Sequence, residues 1–176
     1  MTGGILSRED LGEVRRELRE ADRTFVFTNG CFDVLHRGHV DLLREARSLG
    51  DFLAVGINDD DSVRRLKGSG RPLVPERDRA EILAALEMVD AVVLFPEDTP
   101  GALIEALVPD ILVKGGDYPP DGIVGRETVE GAGGRVVRVE LTPGRSTRGL
   151  VRDILERYSG TGDRKQSDPK PGKEDA

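Results

Sequence analysis

The sequence predicts the α/β class, an open parallel sheet of five strands with helices on both faces. Three observations predict it. Five short runs rich in Val, Ile, Leu and Phe are each succeeded by a helical stretch, the alternation that builds a parallel sheet covered on both sides. Residues of chemical interest come after these runs and not before them, and in such sheets the ligand crevice lies beyond the C-terminal strand ends. The length, 176 residues with 37% hydrophobic side chains, suits one domain with a sizeable core. Together they point to a Rossmann-like arrangement.

The elements can be placed in chain order. Leu11, Val14 and Leu18 stand at helical spacing between Ser7 and Ala21, with Ser7 as N-cap and Asp10 three residues on. Residues 1–22 therefore read as a helix packing on a domain of residues 23–158. Phe25-Val26-Phe27 is the first strand. Val40, Leu42, Leu43, Ala46 and Leu49 form a helix that stops at Gly50, a natural C-terminal cap. Phe52 to Ile57 is the second strand, succeeded by a basic loop with Arg64, Arg65, Lys67 and Arg71. A helix over 80–88, a strand over 91–95, a helix over 102–108 and a strand over 111–113 come next. A Gly- and Pro-rich loop covers 115–122, a helix 123–131, a strand 136–139, and Leu150, Ile154, Leu155 and Tyr158 mark the last helix. Residues 159–176 are polar, charged, Gly and Pro residues with Ala176 the only apolar side chain, too polar to offset their ordering entropy, so a disordered tail is expected.

Composition excludes several function classes. The net charge is -7, which weighs against a nucleic-acid partner or an anionic membrane held by bulk charge. No apolar run approaches the roughly 20 residues that span a bilayer, and the first residues lack a signal-peptide pattern. The cytoplasm is the expected compartment. One cysteine, Cys31, excludes an internal disulfide and a multi-cysteine metal site. The scarce residue types are more informative. There are two histidines, His36 and His39, and of five lysines only Lys67 and Lys114 lie before residue 165.

After the first strand there is no Walker-type loop and no glycine-rich dinucleotide fingerprint. The chain instead reads Thr28-Asn29-Gly30-Cys31-Phe32-Asp33-Val34-Leu35-His36-Arg37-Gly38-His39. Gly30 permits a tight turn, and Gly38-His39 falls at the start of the next helix, where free N–H groups and the helix dipole suit a phosphate. Two imidazoles there can donate to a phosphoryl group as charge develops. Two other readings stand beside this one: locally bonded loop histidines, or a metal pair completed by carboxylates.

Residues 30–39 resemble the G-x-F-D-x-x-H-x-G-H signature of the HxGH nucleotidyltransferases. The resemblance implies that His36 and His39 bind a triphosphate and that the backbone of Gly30, Cys31 and Phe32 cradles the nucleotide. Further segments narrow it: Arg64 to Gly68, Arg71-Pro72, Pro75, Arg79, Asp98-Thr99-Pro100, Pro109-Asp110, Leu112 to Tyr118, Gly133-Gly134 and Gly144-x-Ser146-Thr147. Together, over about residues 23–157, they resemble the family of adenylyltransferases that activate D-glycero-β-D-manno-heptose 1-phosphate with ATP. In that family the domain is often fused to a sugar kinase, so a stand-alone form beside a separate heptose-phosphate kinase is expected here.

The resemblance gives roles to the remaining candidates. His36, His39 and Lys114 are the expected catalytic residues. Thr28, Asn29, Gly30, Cys31, Phe32, Asp33, Gly38, Asn58, Gly115, Asp117, Ser146 and Thr147 are expected around the nucleotide, with Cys31 itself structural. Lys67, Arg71, Arg79 and Arg148 are expected on phosphate or the acceptor. An ammonium suits phosphate as a point charge, though a solvated lysine is the plainer reading. Asp117 suits a ribose hydroxyl or a turn cap, and Ser146-Thr147 a phosphate or a helix N-cap. Arg148 stands where the family carries a second threonine. Alone, Arg79 would be a surface arginine.

The implied reaction joins ATP to a sugar 1-phosphate, with Mg²⁺ carried on the nucleotide, no resident metal and no general base, since the acceptor phosphate is already ionised. A homodimer is an open expectation. The alternatives are a cytidylyltransferase of the same fold acting on an alcohol phosphate such as glycerol 3-phosphate, an FAD-synthetase-like adenylyltransferase, and a nucleotide-binding subunit without turnover.

Overall fold

A computed structural model describes residues 4–116, 122–140 and 144–159. It shows strands β1 (Gly4–Leu6), β2 (Phe25–Gly30), β3 (Phe52–Asn58), β4 (Ala91–Phe95), β5 (Ile111–Gly115) and β6 (Arg135–Val139). The helices are α1 (Arg8–Glu20), α2 (Arg37–Ser48), α3 (Asp60–Lys67), α4 (Glu76–Ala84), α5 (Gly101–Leu107), α6 (Arg126–Gly131) and α7 (Thr147–Tyr158). The sheet has six strands in the order β1-β4-β3-β2-β5-β6, and every pairing is parallel.

The expected count of five strands is therefore corrected to six. The additional strand, β1, is three residues at the sheet edge, pairing Gly4, Ile5 and Leu6 with Ala91, Val92 and Val93. Three residues are too few to show a period-two pattern, which is why the sequence did not reveal it. The basic stretch after β3 is also corrected. It is mostly helix α3, whose N-cap Asp59 accepts from the Ser62 N–H at 2.7 Å. The helix expected over 80–88 begins at Glu76 and ends at Ala84. The one expected over 123–131 begins at Arg126. The tail from residue 160 lies outside the described residues.

Strand alternation divides the core into two layers. Val26, Leu53, Val55, Ile57, Val92 and Val113 face α2 and α4, meeting Leu42, Leu43, Ala46, Ala80 and Leu83. Phe25, Phe27, Ala54, Val93, Phe95 and Leu112 face α1, α5 and α6, meeting Leu11, Leu18, Leu103, Ile104, Leu107 and Val129. Ser7 caps α1, its Oγ accepting from the Asp10 N–H at 3.0 Å.

Helix α1 is tied down by more than apolar contact. Arg15, buried, donates to the Leu107 and Val108 carbonyls at 3.2 and 2.9 Å and to both Asp110 carboxylate oxygens at 2.9 and 2.7 Å. It thereby caps the C-terminal carbonyls of α5. Arg15→Ala leaves those carbonyls and Asp110 with an unmet demand. It should destabilise the fold by about 3 kcal/mol, read as a lower denaturant midpoint at an unchanged slope.

β2 lies at the topological switch. The chain proceeds from β2 to β3 and β4 on one side, then crosses to β5 and β6 on the other. Val26, Phe27 and Thr28 of β2 stand opposite Ile111, Leu112 and Val113 of β5. The crevice of such a sheet opens at the C-terminal ends of these two neighbours, which here carry Asn29, Gly30, Lys114 and Gly115.

Candidate active site

The site begins with the loop from β2 to α2. Phe32 and Val34 both take left-handed backbone (φ 47° and 57°), a conformation that disfavours a bulky or β-branched side chain. Between them, Asp33 is 3% exposed. Its carboxylate accepts from Arg71 Nη1 at 2.7 Å and from the Leu73 and Val74 N–H groups at 2.9 and 3.0 Å. Burial alone would raise its pKa. The donors from Arg71, Val74 and Leu73 outweigh burial and hold it below the usual carboxylate range. Thr147 Oγ1 donates to the Asp33 carbonyl at 2.7 Å, so the start of α7 also grips this loop.

His36 is the N-cap of α2 and His39 its third residue. Their rings stack, with centroids 3.7 Å apart and planes 18° from parallel. The His36 backbone N–H donates to His39 Nδ1 at 3.4 Å, which leaves Nε2 to carry the proton of the neutral His39 ring. Burial pushes His39 down to about 4, assisted by the neighbouring His36 and Lys67 charges. Burial also lowers His36, and its Nδ1 is buried with no hydrogen-bond partner among the described residues. At neutral pH both rings are uncharged donors. Gly38 permits this packing: a Cβ there would stand 3.1 Å from the His36 ring and 3.3 Å from the Arg145 carbonyl. The α2 N-terminus thus lies against the segment that starts α7.

Across the switch point, Lys114 is 5% exposed, and its amine donates to Asn29 Oδ1. Burial pushes the amine down to about 8, so at neutral pH it remains mostly an ammonium. Asn29 and Lys114 come from the crevice-forming strands β2 and β5, and His36 and His39 from the helix that follows β2. Lys67 is exposed at the end of α3, close enough for its charge to act on His39.

Other candidates have different partners from those expected. Arg79 is 2% exposed and is no surface arginine. Its Nη1 donates to the Cys31 carbonyl at 2.6 Å, Nε to the Val74 carbonyl at 3.0 Å and Nη2 to Asp60 at 2.7 Å. Arg71 is held by Asp33. Asn58 donates to Ser62 Oγ at 2.7 Å and to the Glu97 carbonyl at 3.2 Å, and receives the Cys31 thiol at 3.8 Å. Thr28 Oγ1 donates to the Val113 carbonyl at 3.0 Å, bridging β2 and β5. These four side chains, expected on nucleotide or phosphate, all bond to the protein, Arg71 through Nη1 alone.

The anticipated basic cluster separates in the same way. Arg64 pairs with Asp61 and Arg65 with Asp98. Ser146 caps α7, accepting from the Gly149 N–H at 3.1 Å, and Arg148 is exposed. Asp117 lies outside the described residues. Gly133-Gly134 sits at the N-terminal edge of the sheet, away from the crevice. Gly133 has φ 87°, and a Cβ on Gly134 would meet the Asp110 carbonyl at 2.8 Å. This pair is a turn.

The sequence did not reveal what Leu73, Val74, Glu76, Ser62 and Glu97 do. Leu73, Val74 and Glu97 contribute backbone groups to these ties, and no side-chain pattern announces a backbone donor or acceptor.

Comparison with known proteins agrees with this geometry. The family described as cytidylyltransferase-like matches residues 27–143. The bifunctional protein HldE of Mesorhizobium japonicum is 64% identical over 147 residues, 84% of this chain and 30% of that protein. The HldE protein of Syntrophotalea carbinolica is 56% identical over 154 residues, 88% of this chain and 31% of that one. This chain spans about a third of the length of these relatives. A solved structure, the lipopolysaccharide core biosynthesis protein from Thermoplasma volcanium, is similar with a TM-score of 0.56 and 30% identity. That match covers 68% of this chain and 97% of the other. A pantoate-beta-alanine ligase from Francisella tularensis shares the fold (TM-score 0.60, 13% identity, 93% of this chain and 81% of that one). With the signature histidines stacked at a helix N-terminus on the switch point of a parallel sheet, and the match running through that site, the chain belongs to the cytidylyltransferase-like family of nucleotidyltransferases.

Proposed function

We propose that this enzyme transfers AMP from ATP to D-glycero-β-D-manno-heptose 1-phosphate, giving ADP-heptose and pyrophosphate. The observation that carries the reaction type is the pair of stacked, neutral imidazoles at the N-terminus of α2, the helix that leaves the switch strand β2, whose neighbour β5 holds Lys114. The sugar assignment rests on the sequence resemblance and on the HldE relatives. The acceptor phosphate oxygen attacks the α-phosphorus in line, and the bond to pyrophosphate breaks. No covalent enzyme intermediate forms.

The residues contribute position and charge. The α2 N-terminus and His36 and His39 donate to the triphosphate oxygens as charge shifts toward the leaving pyrophosphate. Lys114, held by Asn29, supplies a fixed positive charge at the end of β5, and Lys67 adds a second from α3. The backbone of 30–32 and Gly115 line the crevice on the nucleotide side, and Gly38 lets the His36 ring lie against the α2 N-terminus. Ser146 and Thr147 start the helix that closes the other side. Arg148 extends from that start toward solvent and suits an outer phosphate. A divalent cation, Mg²⁺ on this reading, enters on the triphosphate. Among the described residues, no group of three His, Cys, Asp or Glu side chains is placed to hold one. No described helix is long and apolar enough to cross a membrane.

The test is pyrophosphate release from ATP, CTP, GTP and UTP, each with heptose 1-phosphate, glycerol 3-phosphate or flavin mononucleotide. Release is expected with ATP and heptose 1-phosphate. Release with CTP and glycerol 3-phosphate instead would make the enzyme an alcohol-phosphate cytidylyltransferase. Release with ATP and flavin mononucleotide would make it an FAD synthetase. No release from any pair, with nucleotide still bound, would reduce the chain to a binding subunit.

A further inference from the structure

Residues 60–76, helix α3 and the turn after it, form an arm beside the signature loop. The arm is closed at its base, where the Asp60 N–H donates to Glu76 Oε2 at 2.8 Å. Two buried charged residues then bind it to the loop. Arg79 holds the start of the arm through Asp60 and its end through the Val74 carbonyl, while its third nitrogen holds the Cys31 carbonyl of the loop. Asp33, from the loop, holds Arg71, Leu73 and Val74 of the arm. All three guanidinium nitrogens and both carboxylate oxygens are taken up by the protein, and both residues are buried.

Of the basic residues in the last turn of α3, Arg64 and Arg65 are paired with carboxylates. Among the described residues Lys67 makes no hydrogen bond or ion pair. It is the charge the arm presents, and His39 feels it. We propose that Asp33 and Arg79 are positioning residues, which clamp the arm 60–76 to the signature loop and so fix the end of α3, with its Lys67 ammonium, against the loop that carries the two histidines. Neither touches a substrate. The proposal rests on the nucleotidyl-transfer reading for what Lys67 does, but the clamp itself is independent of it.

A double-mutant cycle on pyrophosphate release tests the coupling. Arg79→Lys keeps the charge and loses the fork geometry. Alone it should lower kcat/KM by about 10-fold, mostly through KM for ATP. In a Lys67→Ala background it should cost less than about 2-fold, because the group it positions is gone. An equal loss in both backgrounds would overturn the proposal, since a direct substrate contact or a general loss of structure does not depend on Lys67. Amide exchange supplies a readout without turnover. In Asp33→Asn the Leu73 and Val74 amides should exchange at least about 10-fold faster while amides of β3 keep their protection. Unchanged exchange at both amides would also overturn the clamp. Should Arg79→Lys fail to fold, the same cycle is run with Asp33→Asn. If the wild-type protein releases no pyrophosphate from any substrate pair, the functional reading fails and amide exchange alone decides the clamp.

Discussion

His39→Ala should leave the fold intact and lower kcat by about 10² to 10³, the loss typical of removing one donor aimed at developing charge. The geometry makes His39 the more demanding of the two histidines. Its Nδ1 already accepts from the His36 N–H, so the ring is oriented with Nε2–H as donor before substrate binds. The stacked His36 ring fixes the same orientation from above. A change confined to KM would indicate ground-state binding only, whereas the assigned role requires kcat to fall. The same residue sets a pH signature for stability. Its folded-state pKa, about 4, lies below the unfolded value near 6.5. The unfolded chain therefore binds more protons between these values. The stability contributed by neutral His39 is complete above about pH 6.5 and is lost as pH falls through about 4. Denaturant titrations at pH 7, 5.5 and 4 should show a smaller acid loss in His39→Gln than in the parent.

Lys114→Met should separate stability from activity. Turnover should fall by at least about 10², since the switch point loses its fixed charge. The folded state, however, should become more stable at pH 7. The buried amine titrates near 8, below the free value of 10.5. The unfolded chain thus holds more protons between 8 and 10.5, and at neutral pH folding carries the penalty of burying an ammonium. Methionine fills similar volume without that penalty. The Asn29 amide left behind offsets part of the gain, so a net rise on the order of 1 kcal/mol, a few degrees in Tm, is expected. A Lys114→Met protein with lower Tm at pH 7 and a higher one at pH 10 would contradict this assignment. Activity here is obtained at the expense of stability, the common condition of catalytic charges.

The layered sheet was legible because strand runs such as Phe25-Val26-Phe27 and helix faces such as Leu42-Leu43-Ala46 carry their burial in local order. The crevice was legible for a different reason: parallel topology forces the residues after β2 and β5 to one edge, so Asn29, His36, His39 and Lys114 could be grouped before any contact was known. β1 escaped because three residues have no period. The burial of Arg79 was not legible, because an arginine on a short helix shows its burial only through its acceptors, and two of these are carbonyls at residues 31 and 74. The protein partners of Asp33 and Asn58 were not legible either. Sequence spacing brings a side chain to a site, but which neighbour it bonds depends on ties across 38 to 41 residues, such as Asp33 to Arg71, Leu73 and Val74. Nothing local encodes those.

The left-handed backbone at Phe32 and Val34 bears on how transferable this chemistry is. Two such residues within three positions cost on the order of 1–3 kcal/mol each, and a free chain would relax to another shape. What holds them are groups from other elements: Arg71, the amides of Leu73 and Val74, Arg79 and Thr147. The ten residues 30–39 are thus a recognisable label for the site without being a portable part. Grafted after a strand in an unrelated α/β protein, they would carry both histidines and lose the spacing between them. Transplantation would need the arm and the start of the last helix to travel as well, so the smallest unit that can be inherited, swapped or engineered as a working site is nearly the whole sheet.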